Sequence, residues 1–243
     1  MTRRALIFRH MKEDTGGLYP ALLRGLGFDV SFHDWQHGEA PSAAALSCAD
    51  VLVVLGGAQQ VWEEDRHPWL VEEKAIIADW VGVQAKPYVG LCLGHQLLAD
   101  AMGGEVGLAD HKEVGVSSVT FSGDTAACRV FNTFSGATPV TQWHEAEVSR
   151  APAAATVLAS SDKCAVQMLA VDGHAFSTQF HHEWDLPTVH GWIPQWQTAM
   201  DEASGQPGSY AAFTARMSKE EPRLTRLSHG LFERFMSANG LVR

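Results

Sequence analysis

Seven consecutive residues, Gly90-Leu91-Cys92-Leu93-Gly94-His95-Gln96, carry the sharpest chemical signal in the chain. They join an apolar run to a short helical pattern in the form Gly-x-Cys-x-Gly, the thiol counterpart of the Gly-x-Ser-x-Gly nucleophile elbow. A sharp strand-to-helix turn strains the backbone at the nucleophile, and flanking side chains would clash there, so glycines are needed. Such a turn lifts the Cys92 thiol into the open and aims the Leu93 N–H at any oxyanion formed on attack. The helix that follows favours thiolate over thiol. Cys48, Cys128 and Cys164 lack an elbow and a paired base, and read as buried or ordinary thiols. A thiol nucleophile also needs a base, and the base an orienting group. His181-His182-Glu183 could supply them, although those three residues alone fit a solvated loop or a metal pair equally well. His33 and His37 lack a third ligand nearby and read as solvated rather than as a zinc site.

The elements around these residues follow from hydrophobic periodicity. Ala5–Phe8, Phe28–Trp35, Val51–Leu55 and Tyr88–Leu91 read as strands. Helices are expected over Thr15–Leu26, Pro68–Gln84 and Leu97–Met102. That alternation predicts an α/β fold with a parallel sheet and right-handed crossovers. Between Lys112 and Glu183 the pattern turns to strands: Val140–Trp143, Ala155–Ala159, Ala165–Val171 and His174–Phe180, with Asp172-Gly173 as a hairpin turn. Val114 and Val116 alternate, then Val119 and Phe121 resume one position out of step, which predicts a bulge at Ser117-Ser118. The last residues turn helical, over Pro187 to about Met200 and along the stripe Leu224, Leu227, Leu231 and Phe235. The expectation is one domain over residues 1–186 with a helical extension, 187–243, packed on it. Trp184, Trp192 and Trp196 read as the apolar face that holds the extension in place.

Composition bounds the function. The 18 Lys and Arg against 28 Asp and Glu give a formal charge of -10 over 243 residues. An acidic balance argues against nucleic-acid backbone binding and against docking on anionic membranes. No apolar run approaches the roughly 20 residues that span a bilayer. Met1–Met11 is too weakly apolar for a secretory leader, so the expected location is cytoplasmic, with reduced thiols.

The seven-residue string resembles the nucleophile segment of class I, triad-type glutamine amidotransferases. Pro68-Trp69-Leu70, Lys112-Glu113-Val114-Gly115, Trp143-His144-Glu145 and Leu158-Ala159-Ser160-Ser161 are similar to stretches of stand-alone members related to the glutaminase domain of GMP synthetase. The resemblance covers roughly residues 1–186 and implies a flavodoxin-like domain with a mostly parallel central sheet and additional antiparallel strands. It implies Cys92 as nucleophile, His181 as base and Glu183 as the orienting carboxylate. His182 stands where the family usually has proline, and is a rival base; alternate residues of an extended segment share a face, which favours His181 with Glu183. Gly57, with Gly56 one position away, matches the glycine whose N–H completes the oxyanion hole beside Leu93. Gln96 matches a glutamine contact. Trp143, His144 and Glu145 match the loop that holds the amino-acid end of the substrate. Glu145 replaces the family's usual glycine there, which leaves room for a γ-glutamyl compound other than glutamine.

The activity so implied is hydrolysis of the glutamine side-chain amide, with no metal or organic cofactor. Too few residues follow Glu183 for a nucleotide-activating domain, so the ammonia would pass to a separate synthetase subunit. The alternatives are a γ-glutamyl peptidase acting alone and a non-catalytic binding module. The intact Cys92, His181 and Glu183 argue against the last.

Overall fold

The structure is a computed structural model that describes residues 2–122, 130–131, 134–192 and 197–242. Cys128 and Trp196 lie outside the described residues, as does the side chain of Trp192.

The chain runs β1 (Arg4–Arg9), α1 (Tyr19–Gly25), β2 (Asp29–Asp34), α2 (Ala43–Cys48), β3 (Val51–Val54), α3 (Trp69–Ile77), β4 (Tyr88–Leu91) and α4 (Leu93–Ala101). It continues through β5 (Glu105–Phe121), β6 (Gly136–Arg150), β7 (Thr156–Ser160), β8 (Met168–Val171) and β9 (Ala175–Thr178). Helices α5 (Leu186–Trp192), α6 (Gln197–Ser204) and α7 (Ser209–Ala238) close the described chain. Its nine strands form one mixed sheet in the order β2-β1-β3-β4-β9-β8-β7-β5-β6. The pairings from β2 to β9 are parallel, and those beyond β9 are antiparallel.

The parallel half is built as the apolar runs require. Ile7, Val53 and Val89 face one side of the sheet and pack with Leu23 of α1 and with Leu231 and Phe235 of α7. Leu6, Phe8, Leu52 and Val54 face the other side and pack with Leu70 and Ile77 of α3 and Leu97 of α4. Strands covered on both faces bury every side chain, which is why they read as unbroken apolar runs. Helix α7 therefore joins the same core as the parallel strands. Its N-terminal half contributes Phe213, Met217 and Leu224 to a second cluster with Trp184, Val189 and Met200.

Four sequence expectations are corrected. Glu113 to Phe121 pairs with β6 in unbroken register, so there is no bulge at Ser117-Ser118; the irregularities lie at Glu105/Val106 and between Leu108 and Glu113. The change of parity marks a change of partner. Val114 and Val116 pack against the Trp184 cluster, whereas Val119 and Phe121 enter the main core from the other face. The helix expected at Leu97 begins at Leu93, directly after the elbow. The first helix starts only at Tyr19, because Gly16 and Gly17 both take positive φ before it. His33 is half-buried rather than solvated: its ring packs edge-on against Phe8 and Trp35.

Candidate active site

The carboxyl ends of β1, β3, β4 and β9 meet at one edge of the sheet, where ligand sites of parallel α/β folds gather. Cys92 sits between β4 and α4 with φ 51° and ψ -102°. A non-glycine residue in that region costs about 1–3 kcal/mol, and its surroundings must hold it there. The Cys92 N–H donates to the Thr178 carbonyl at 2.8 Å, and its own carbonyl accepts from His95 N at 3.0 Å and Gln96 N at 3.1 Å. Two glycines make the turn possible. A Cβ on Gly94 would lie 2.2 Å from the Val54 carbonyl oxygen, and one on Gly90 2.6 Å from the Gly94 carbonyl oxygen. Leu93 is the first residue of α4, so its N–H belongs to the set that has no partner within the helix.

His181 faces this thiol from the end of β9. Its backbone is bridged to Thr141 of β6, with His181 N donating to the Thr141 carbonyl at 2.8 Å. Nδ1 of His181 lies 2.6 Å from Glu183 Oε1, which leaves Nε2 for the thiol. Trp184 stacks on the imidazole at 3.7 Å with the ring planes 14° apart. Burial opposes a charge on His181, but Glu183 and Cys92 outweigh it and raise the imidazole pKa to about 10. Gly56, at the end of β3, leaves the ring its room: a Cβ there would sit 3.2 Å from His181 Cε1 and 3.6 Å from Cys92 Cβ.

His182 points the other way. Its Nε2 meets the Tyr19 hydroxyl at 2.8 Å and its Nδ1 the Thr178 hydroxyl at 3.0 Å. It is buried, and burial pushes its pKa down to about 4. His95 is also buried, held by Ser177 Oγ at 2.8 Å and the Val166 carbonyl at 3.2 Å, with its pKa pushed down to about 3.

A cleft of about 350 Å³ opens over Cys92 and His181. Gly57, Gln96, Trp143, His144 and Glu145 all line it. Gln96 Nε2 is committed to the Ala146 carbonyl and Gln179 Oε1, both at 3.1 Å. Both His144 nitrogens are engaged too, Nδ1 with the Ala146 carbonyl at 3.0 Å and Nε2 with Glu113 at 3.2 Å. The His144 ring therefore braces its loop, while the half-buried Glu145 reaches the rim and pairs with Lys112 at 2.7 Å. Glu183 and Leu93 lie behind the lining, one bonded to His181 and the other opening α4.

Sequence reasoning missed several lining residues. Asp14 is buried near His181, and burial raises its pKa to about 6. Gln59 and Gln60 follow the β3 glycines, and Ala199, Glu202 and Ala203 of α6 form a wall. His10, one residue past β1, is buried behind Gly56. Its position at a strand's carboxyl end was the available signal.

The buried histidines predict acid sensitivity. An ordinary histidine titrates near 6.5, so as pH falls below that value the unfolded chain takes up protons that folded His95 and His182 refuse. Their contribution is full above pH 6.5 and is lost as pH falls towards 4. Asp14 opposes this, because its folded pKa of about 6 lies above the ordinary 3.8. The raised pKa of His181 leaves it protonated in both states over most of this window. The expected net loss between pH 6.5 and pH 4.5 is about 3 kcal/mol, read as a lower urea midpoint.

The protein is of the α/β class, with a flavodoxin-like sheet whose cleft gathers an elbow thiol and a histidine–carboxylate pair. The sequence profile of the glutamine amidotransferase class-I family matches residues 20–191, and the chain belongs to that family. It is 26% identical over 179 residues to γ-glutamyl peptidase 2 of Arabidopsis thaliana, covering 72% of this chain and 71% of that protein. It is 34% identical over 138 residues to one subunit of the glutamine-hydrolysing GMP synthase of Sulfolobus acidocaldarius, covering 55% of this chain and 67% of that one. The crystal structure of a glutamine amidotransferase from Thermotoga maritima superposes with a TM-score of 0.84 at 25% identity, covering 97% of this chain and 98% of that one.

Proposed function

We propose that the protein hydrolyses the side-chain amide of glutamine through a thioester on Cys92 and supplies ammonia to a separate synthetase subunit. The observation that carries this reading is the strained Cys92 facing a His181 already held by Glu183. His181 takes the proton from the Cys92 thiol, which the raised pKa of its imidazole favours. The thiolate attacks the amide carbon, and the C=O electron pair moves to oxygen, where the N–H groups of Leu93 and Gly57 receive it. Each such donor is typically worth about 2.7–4 kcal/mol. His181 protonates the leaving nitrogen, the C–N bond breaks, and ammonia departs. The now neutral imidazole takes a proton from water, which attacks the thioester, releases glutamate and restores the thiolate. Glu183 keeps the Nδ1 hydrogen in place and balances the imidazolium charge.

A second reading, a γ-glutamyl peptidase acting alone, is favoured by the α6 wall and the charged rim. Ala199, Glu202 and Ala203 stand over the cleft, and Glu145 with Lys112 offers two charges beyond a bare amide. The Arabidopsis relative is named for that activity.

One experiment separates the two. The purified protein is incubated with glutamine and, separately, with γ-glutamyl dipeptides, and ammonia and free glutamate are measured beside a Cys92→Ser control. Ammonia from glutamine, lost in the control, is the expected result. Turnover of dipeptides alone selects the peptidase. Silence on both, with candidate synthetases added, refutes catalysis and leaves a binding module.

A further inference from the structure

His10 and Glu73 are fully buried, 0% exposed, and neither lines the cleft. His10 Nε2 lies 3.1 Å from both Glu73 oxygens, and Nδ1 lies 2.9 Å from the Gly56 carbonyl oxygen. A carbonyl only accepts, so Nδ1 carries a hydrogen whatever the state of the pair. The ring is held on every side. Trp69 stacks on it at 5.6 Å with the planes 19° apart, and Gln36 Nε2 donates to the His10 carbonyl at 3.0 Å. Helix α3 supplies both Trp69 and Glu73. A buried histidine–carboxylate pair is weak as a source of stability, since desolvation offsets most of its attraction. This one is spent on a single peptide.

That peptide joins Gly56 to Gly57. In a trans peptide the C=O and the following N–H point in opposite directions, and the described chain contains no cis bond. A carbonyl anchored on His10 turns the Gly57 N–H away from His10, and Gly57 lines the cleft that holds Cys92 and His181. Glycines alone would leave the peptide free to flip. Space is tight as well, because a Cβ on Gly57 would fall 2.9 Å from His10 Cβ and 2.7 Å from Leu93 Cδ2.

We propose that the His10–Glu73 pair is a positioning device that locks the Gly56–Gly57 peptide, so that the Gly57 N–H meets the oxyanion formed when Cys92 attacks. The proposal rests on reading Cys92 as the nucleophile. His10 touches neither substrate nor thiol and acts only through the peptide.

The test compares His10→Leu, which removes the donor, with His10→Asn, whose side-chain amide nitrogen falls near the Nδ1 position. Three quantities are read in each: kcat and KM on glutamine and γ-glutamyl p-nitroanilide, the rate of Cys92 alkylation by iodoacetamide, and the Gly57 backbone amide resonance. Alkylation is a direct displacement that forms no oxyanion. The leucine variant is expected to lose about 10²–10³-fold in kcat, with KM and the alkylation rate within threefold of wild type. The asparagine variant is expected to recover at least tenfold of that loss. The Gly57 resonance should move in the leucine variant and return towards its wild-type position with asparagine. Unchanged kcat, an equal fall in alkylation and turnover, or an unmoved Gly57 resonance each overturns the proposal. If His10→Leu does not fold, Glu73→Ala decides: with His10 Nε2 unheld, the Gly57 resonance must move and kcat must fall while the alkylation rate stays within threefold, and an unmoved resonance overturns the proposal. A wild-type protein inactive on both substrates, with candidate synthetases added, refutes the functional reading separately, and the Gly57 resonance then decides this one.

Discussion

Turnover is expected to fall by about 10²–10⁴-fold in a His181→Gln protein, and to survive within about tenfold in His182→Gln. The two imidazoles are neighbours in sequence and opposite in environment. His181 lies in the cleft beside Cys92, bonded to Glu183 and stacked on Trp184. His182 lies under the sheet with both nitrogens engaged by Tyr19 and Thr178. Under the proposed mechanism, losing His181 removes the group that carries the proton from thiol to leaving nitrogen. Losing His182 takes its partner from the buried Tyr19 hydroxyl, while Thr178 still donates to the Phe180 carbonyl, at a cost of about 1–3 kcal/mol of stability rather than rate. Steady-state kcat and urea midpoints on both variants check the assignment. A rate loss in His182→Gln with His181→Gln still active would reverse it.

Gly94→Ala is expected to cost about 3 kcal/mol or more in unfolding free energy, or to abolish folding. The added methyl would meet the Val54 carbonyl oxygen at 2.2 Å. Neither side can yield cheaply. Val54 belongs to β3, paired on both edges by β1 and β4, and α4 buries Leu93, Leu97 and Leu98 directly beneath. Overpacking in a dense core typically costs about 1–3 kcal/mol, and here the obstacle is backbone rather than a rotatable side chain. Gly107→Ala is the matched control. A Cβ there meets nothing within 4 Å, so its midpoint should stay within about 0.5 kcal/mol of wild type. Equal effects at the two positions would show that the elbow tolerates a side chain.

The parallel half of the fold was legible because its strands are buried on both faces, and burial writes itself into sequence as apolar runs such as Val51–Val54. The elbow was legible for a related reason: its glycines answer to close backbone approach, which few other residues satisfy. The antiparallel half was harder. β5 draws its apolar contacts from one cluster along Val114 and Val116 and from another along Val119 and Phe121, so local alternation misreports the register. Residues that act at a distance in sequence were invisible. Nothing near His10 announces Glu73, and nothing near Cys92 announces α6 as the opposite wall.

Helix α7 has a wider consequence. It runs for 30 residues from the core beneath β1 and β3 to the cluster around Trp184, the ring that backs His181. Ser228 on it also caps the His182 carbonyl. Under the proposed mechanism the bond-breaking parts belong to the sheet edge, while the bracing of His181 through Trp184 and one wall of the cleft belong to the tail. Such a division separates two kinds of change. Substitutions at the cleft-facing Ala199, Glu202 and Ala203 of α6 can reshape the space over Cys92 while the thiol and its partners stay where the sheet puts them. Selectivity can drift in this molecule without the chemistry having to be reinvented.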